Sequence, residues 1–407
     1  MTDLMRGNIA ERRKPAILGG PPAFSEGIPL MRPSVPSPEE LLPVLTELQS
    51  TGYISNFGPH SRSLEEMIAQ RLGVGHCVTL SNLSTGLMYM PAAAQLDGGE
   101  VILPSFTFLA TAHSMKLAGL EPVFADIDPE TLTLDPRSVA AAVTTHTVAV
   151  CAVHIYGTPC DIQGLQSVCD RHGLALFFDA AHALGSSYQG HPIGGFGTAE
   201  GFSTSATKVV STLGEGGFIT TNDAGVDERI RRLRNWGHGG DYNADMISIC
   251  SKLPEFSAAA GLIELERLDD YMLARQSIAA RYEHGLEAVP GIRFPQVREG
   301  DVSSYKDIAI LVDAEQFGMT STMLEKALET EGVQTRRYFS PSLHQMDCYR
   351  KLNTGRHVPL EYTERASREV ICLPIYNAMD LEAVDRICAC IGDLHRHAFE
   401  ISWNDKE

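Results

Sequence analysis

The chain has 407 residues, enough for about two or three domains, and its 43% apolar and 21% charged residues are the mix of an ordinary globular protein with a large core. Its 33 Lys and Arg face 51 Asp and Glu, a net charge of −18. So acidic a chain has no general attraction for nucleic acid or an anionic membrane, and a phosphate-bearing ligand needs a local cluster of donors. The nine Cys form no C-x-x-C pair, the nearest two being Cys388 and Cys390. That fits reduced thiols packed as small apolar residues in a cytoplasmic protein, not a disulfide framework or a metal site. No apolar run reaches the roughly 18 residues of a membrane span, and Met1 to Pro15 lacks an apolar signal core.

Residues 15–60 are rich in Gly and Pro and read as an extended arm, with a short helix from about Pro38 to Ser50. Such an arm must lie on the main domain or on a partner chain. From Cys77 onward, apolar strands alternate with helical patterns. Val101–Leu103, Pro122–Asp126, Thr147–Val153 and Leu174–Phe178 are continuous apolar runs, as expected for a sheet covered on both faces. The segments between them, such as Ile162–His172, carry helical spacing, so the fold class is α/β with a mostly parallel central sheet. Ala258 to Leu286 reads as one long helix, with apolar residues at Leu262, Leu265, Leu268, Met272, Ile278, Tyr282 and Leu286. Shorter elements follow, among them Asp307–Val312 and Leu381–Leu394. The expected division is a large domain over residues 1–265, arm included, and a smaller C-terminal α+β domain over 266–407. The long helix would bridge them beside a ligand cleft.

Four segments carry candidate chemistry. Gly201-Phe-Ser-Thr-Ser-Ala-Thr-Lys208, followed by Gly214-Glu-Gly-Gly217, sets one lysine in a small, hydroxyl-rich stretch. Lys208 is either a surface residue or a nucleophile able to form a Schiff base with an aldehyde cofactor. In Asp179-Ala-Ala-His182 a carboxylate follows an apolar strand, where parallel sheets present active-site groups. Asp179 either caps the next helix or pairs with a buried cation, such as a protonated pyridine nitrogen. Ser81-Asn-Leu-Ser84-Thr-Gly-Leu87 opens a helix and offers backbone amides to a phosphate, or serves as a plain cap. Phe108, just after a strand, is a core aromatic or a platform for a planar ring.

Taken in order, these segments resemble the DegT/StrS-type sugar-nucleotide aminotransferases, which depend on pyridoxal 5'-phosphate (PLP) and share the aspartate aminotransferase fold (fold type I). The likeness extends to Tyr53–Pro59, Val153–Asp161 and Tyr338–His344 and runs from about Gly19 to Ile391. The resemblance implies that Lys208 holds the cofactor and moves protons, Asp179 pairs with the ring nitrogen, Phe108 stacks on the ring and His182 lies at its far edge. Leu83 and Ser84 would bind the phosphate through backbone amides, Ser203 through its hydroxyl, and Lys252 from the neighbouring subunit of a homodimer with shared sites. Leu83 stands where the family usually has Gly or Ala, and Thr204 and Ser205 replace a common aromatic–His pair.

The implied reaction passes an amino group from glutamate, through pyridoxamine 5'-phosphate, to a keto-sugar. The favoured acceptor is a dTDP-linked 4-keto-6-deoxyhexose. Alternatives are a keto-cyclitol or another natural-product ketone, a PLP-dependent sugar dehydratase, or a non-catalytic regulator. Asn56, Arg336, Arg337, Tyr338 and His344 are the substrate-side candidates, the paired arginines suiting a diphosphate.

Overall fold

The computed structural model describes residues 13–352 and 358–404, so the signal-segment reading of Met1 to Arg12 lies outside the described residues. Seven strands form the central sheet: β1 (His76–Leu80), β2 (Glu100–Pro104), β3 (Glu121–Ala125), β4 (Thr147–Val153), β5 (Ala175–Asp179), β6 (Ala199–Ser203) and β7 (Gly217–Thr221). Their order is β1-β7-β6-β5-β4-β2-β3, and only β7 runs antiparallel to its neighbours. Each of the four apolar runs singled out above forms a strand of this sheet to within a residue at either end.

Successive residues of one strand feed opposite apolar clusters, because strand side chains alternate between faces. Phe178, Phe202 and Phe218 pack on one side of the sheet with Ile102 and Val150. Phe177, Leu103 and Ile219 pack on the other with Leu83 and Leu87. Both faces are covered, so the strands can be apolar throughout.

The long helical pattern breaks into Glu255–Glu266 and Leu268–Leu286. The break is at Arg267, whose φ/ψ of −90/−2 closes a tight turn on the Glu264 carbonyl. Apolar spacing continues across it, so sequence periodicity alone reads one helix. Leu265, Leu268 and Met272 belong to the large core, whereas Ile278, Tyr282 and Leu286 belong to a second. The chain therefore passes from one core to the other within Leu268–Leu286. The second core surrounds a three-stranded sheet of Ile292–Arg293, Ile308–Val312 and Val370–Leu373, packed with helices Ser321–Thr330 and Leu381–Arg396.

The arm lies on this second core. Phe24 and Ile28 are buried in it, and the Ile28 backbone pairs with Val333. Glu331, buried on the small domain, fastens the start of the arm. One carboxylate oxygen accepts from the Ala16 amide at 2.8 Å, the other from the Ala23 amide at 2.8 Å and the Arg13 guanidinium at 2.7 Å. The helix at its end is Pro38–Thr51, started by a Ser37/Glu40 capping box. The nine thiols are all free; Cys388 and Cys390 are buried, while Cys250 and Cys348 are exposed. Among the described residues no helix is long and apolar enough to cross a membrane, and no three His, Cys, Asp or Glu are grouped to hold a metal.

Removing Glu331 leaves the Ala16 and Ala23 amides without this acceptor and takes one of two carboxylates from Arg13, which keeps Asp393 at 3.2 Å. Glu331→Ala should cost about 2–3 kcal/mol and lower the thermal unfolding midpoint by several degrees. An unchanged midpoint would show that the arm is not held by this residue.

Candidate active site

The C-terminal ends of the parallel strands point the same way, and the chain leaving them builds one cavity of about 350 Å³. β5 ends in Asp179 and β6 in Ser203, the segment after β6 supplies Lys208, and the loop after β2 supplies Thr107 and Phe108. Helix Leu83–Ala93, entered from β1, supplies Leu83 and Ser84. The small domain closes the other side with Lys306, Asp307, Tyr338 and Phe339, and the arm contributes Met31.

Asp179 is 5% exposed. Its Oδ2 accepts from Thr111 Oγ1 at 2.7 Å and its Oδ1 from the Ala181 amide at 3.1 Å. Burial pushes its carboxyl above the usual range, against those two hydrogen bonds and the positive charge of Lys208. It is a buried carboxylate with no ion-pair partner among the described residues, facing a cavity that a cationic group could enter. His182 Nδ1 accepts from the Tyr156 amide at 3.2 Å, which assigns the ring proton to Nε2. Burial, then Lys208 and Lys306, hold its imidazole well below the ordinary value and so neutral.

Burial also pushes Lys208 down to about 7, with the Lys306 ammonium as the next cause; Asp307, Asp179 and Glu215 oppose it. A lysine at that value supplies a large fraction of free amine at neutral pH, as a nucleophile needs. Lys306 donates to Asp307 Oδ1 at 2.8 Å, and both side chains are buried in the wall. The sequence reading missed this pair. An adjacent Lys and Asp ahead of an apolar strand look the same as a solvated strand start, and only the fold turns them inward. It also missed Thr111, one helical turn into Leu109–Leu117.

At the opposite end, Asn82 Oδ1 caps the helix by accepting from the Thr85 amide at 2.9 Å. The amides of Leu83 and Ser84 come first in the helix and have no intrahelical acceptor. Gly217 lets this helix start sit on the sheet, because a Cβ there would lie 2.8 Å from the Leu83 nitrogen. The leucine side chain at position 83 is accommodated by Gly201, where a Cβ would meet the Leu83 Cδ1 at 2.5 Å. Ser203 Oγ stands at the same wall, 3.3 Å from Ser205 Oγ. Phe108 is 54% exposed and tilted against Phe339 at 6.3 Å, a ring face free to cover a planar ligand.

The structure thus gathers Leu83, Ser84, Phe108, Asp179, His182, Ser203, Lys208 and Tyr338 in one cavity. The other sequence candidates lie elsewhere on the protomer. Lys252 Nζ donates to Asn56 Oδ1 at 2.7 Å, and both sit outside this cavity. His344 is tied to Ser105 Oγ at 2.7 Å and lies 3.4 Å from Glu364. Arg336 is exposed, with one nitrogen on the Thr335 carbonyl at 3.1 Å. Arg337 is engaged within the chain itself. Its guanidinium is occupied by the carbonyls of Ser367, Arg368 and Val370 and by Thr322 Oγ1, which makes it a clamp on the end of helix Glu361–Glu369.

The strained charge of Asp179 has a measurable consequence. Its folded value lies above its unfolded one, so its unfavourable contribution is absent at low pH and grows as pH rises through the folded value. Asp179→Asn should therefore raise the thermal midpoint of the cofactor-free protein at pH 8 and leave it nearly unchanged at pH 3.5. A lowered midpoint at pH 8 would contradict this account of the site.

The chain is similar to known proteins over most of its length. A transaminase of Escherichia coli, dTDP-4-amino-4,6-dideoxy-D-glucose transaminase, is 32% identical over 88% of this chain and 96% of its own length. GDP-perosamine synthase of Vibrio cholerae is 33% identical over 89% and 98%. The crystal structure of DesI in the presence of its TDP-sugar product superposes with a TM-score of 0.90 at 37% identity, covering 96% of this chain and 99% of that one. The model of the DegT/DnrJ/EryC1/StrS aminotransferase family matches residues 37–392, and the chain belongs to that family.

Proposed function

We propose that this protein binds PLP in the cavity and transfers the amino group of glutamate to a nucleotide-linked keto-sugar, a dTDP-4-keto-6-deoxyhexose. The observation that carries the reading is the meeting in one cavity of Lys208, a buried amine whose hold on its proton is weakened by burial and by Lys306, and Asp179, a buried carboxylate without an ion-pair partner among the described residues. The residues fit the cofactor at both ends. Asp179 suits a protonated ring nitrogen, and the free amides of Leu83 and Ser84 with the Ser203 hydroxyl suit a phosphate. When bound, PLP supplies an electron sink for the charge left as a proton leaves the carbon bearing the amine.

The chain's own residues do the rest. Asp179 keeps the ring nitrogen protonated, because a carboxylate beside it raises its proton affinity. Lys208 would hold the cofactor through its amine and would serve as the general base and acid that takes and returns the proton at the substrate carbon. Phe108 and neutral His182, which line the same cavity, would pack against the cofactor ring. Tyr338 on the small domain, with Arg336 and His344 beyond the cavity wall, forms the substrate side. The name of the E. coli relative supports a dTDP sugar aminated at C4, and that of the DesI complex supports a TDP-sugar.

Lys252 and Asn56 are assigned to the neighbouring protomer's site in a homodimer. Supporting this, they lie outside their own protomer's cavity beside exposed apolar residues: Tyr53, Ile54 and Ile249. The half-buried Phe57 ring lies 4.2 Å from the Arg234 guanidinium and 5.3 Å from the Lys252 ammonium.

The acceptor is tested with keto-sugar nucleotides and keto-cyclitols offered with glutamate and scored by mass spectrometry. An amino product from the dTDP-4-keto-6-deoxyhexose is expected; turnover of a cyclitol alone would refute the sugar assignment. Lys208→Ala should abolish amino transfer, at least about 10⁴-fold, and full turnover by it would end the proposal. Mixing Lys208→Ala with Lys252→Ala chains should restore activity in hybrid dimers that contain one intact site. No recovery, with subunit exchange verified, would contradict the shared site.

A further inference from the structure

The two lysines of the cavity belong to distant parts of the chain, Lys208 after β6 and Lys306 ahead of strand Ile308–Val312. A buried polar bridge joins their main chains. Arg275 is 4% exposed and sits on helix Leu268–Leu286, where the chain changes cores. Its Nη1 donates to the carbonyls of Tyr305 at 2.9 Å and Lys306 at 3.3 Å, and its Nε donates to Asn377 Oδ1 at 2.7 Å. Asn377 Nδ2 donates in turn to the Val209 carbonyl at 3.0 Å, next to Lys208, and to Ser34 Oγ of the arm at 2.9 Å.

Among the described residues Arg275 makes no ion pair. A buried guanidinium satisfied by carbonyls and one amide oxygen is an expensive way to fasten two segments. Apolar packing would join the domains more cheaply, but it would not fix two main-chain positions relative to each other. The bridge spans the large domain, the helix between the cores, the small domain and the arm, and it meets the chain directly beside each lysine.

We propose that Arg275 and Asn377 are positioning residues for the two lysines: their bridge holds the Lys306 ammonium, anchored by Asp307, at a fixed place in the wall beside Lys208. This deepens the proposed function, since it rests on Lys208 being the reactive amine. The charged and titratable groups facing Lys208 are Lys306, which disfavours its protonated form, Asp307, Asp179 and Glu215, which favour it, and neutral His182. Cutting the bridge lets the segment carrying Lys306 shift, and Lys208 regains part of an ordinary lysine's affinity for a proton.

The test needs no substrate. In cofactor-free protein, Lys208 is labelled with a trace of an amine-reactive anhydride across pH, and its peptide is quantified by mass spectrometry. The wild-type half-point should lie near 7. Asn377→Leu, which loses both hydrogen bonds to the large domain and the arm, should move it upward. Arg275→Lys, which keeps the charge but cannot reach both Asn377 and the carbonyls, should do the same, and so should Lys306→Met. A rise of one unit lowers labelling at pH 7 by about five- to tenfold and vanishes above pH 10. If Lys306→Met moves the half-point and the folded bridge variants do not, the bridge is merely structural and the proposal falls. If Lys306→Met itself moves nothing, the proposal falls as well. Each bridge variant carries the same expectation, so one that folds suffices. A wild-type half-point at an ordinary lysine value would instead overturn the reading of Lys208 beneath it.

Discussion

The site rests on a carboxylate kept out of water at the end of β5 with no ion-pair partner among the described residues. Asp179 is held by Thr111 and the Ala181 amide, but neither supplies the positive charge that would settle it. The surrounding fold sustains this unfavourable placement. β5 lies at the centre of a sheet covered on both faces, and its neighbours β4 and β6 fix its end. A ligand with a cationic nitrogen relieves the strain on binding, so the destabilised site becomes affinity for one chemical class.

Lys208 shows the complementary condition. Its ammonium is disfavoured by burial and by a second ammonium brought from the other domain. One group of the pair is therefore poised to receive a positive charge, and the other is poised to give up its proton. The net charge of −18 makes a local arrangement necessary, because the chain as a whole repels phosphates and carboxylates alike. Helix-start amides, a serine hydroxyl and lysines concentrated at one cavity supply what the global field does not.

Most of this architecture was legible from apolar runs. Val101–Leu103 and Thr147–Val153 lie where continuous burial demands strands, and Asp179 is marked by its place directly after one. The helix break at Arg267 was not legible, because apolar spacing carries across it while the cores exchange further along. Nor was the inward turn of Lys306 and Asp307, a contact decided by the small domain folding against the large one. Arg337 illustrates that residue type alone does not fix a side chain's partners. A pair of arginines reads as phosphate chemistry, yet one of them clamps carbonyls at a helix end. Local sequence states residue chemistry well, but which groups face a cavity is settled by long-range packing.

The most direct measurement of the central claim is the site of covalent attachment of the cofactor. Cofactor-free protein is mixed with PLP, reduced with borohydride and digested, and the pyridoxyl group is located by mass spectrometry. The account predicts it on Lys208, and strongly reduced attachment when Asp179 is replaced by Asn. Attachment at Lys306 or at a surface lysine instead, or capture by Lys208 undiminished in Asp179→Asn, would contradict it.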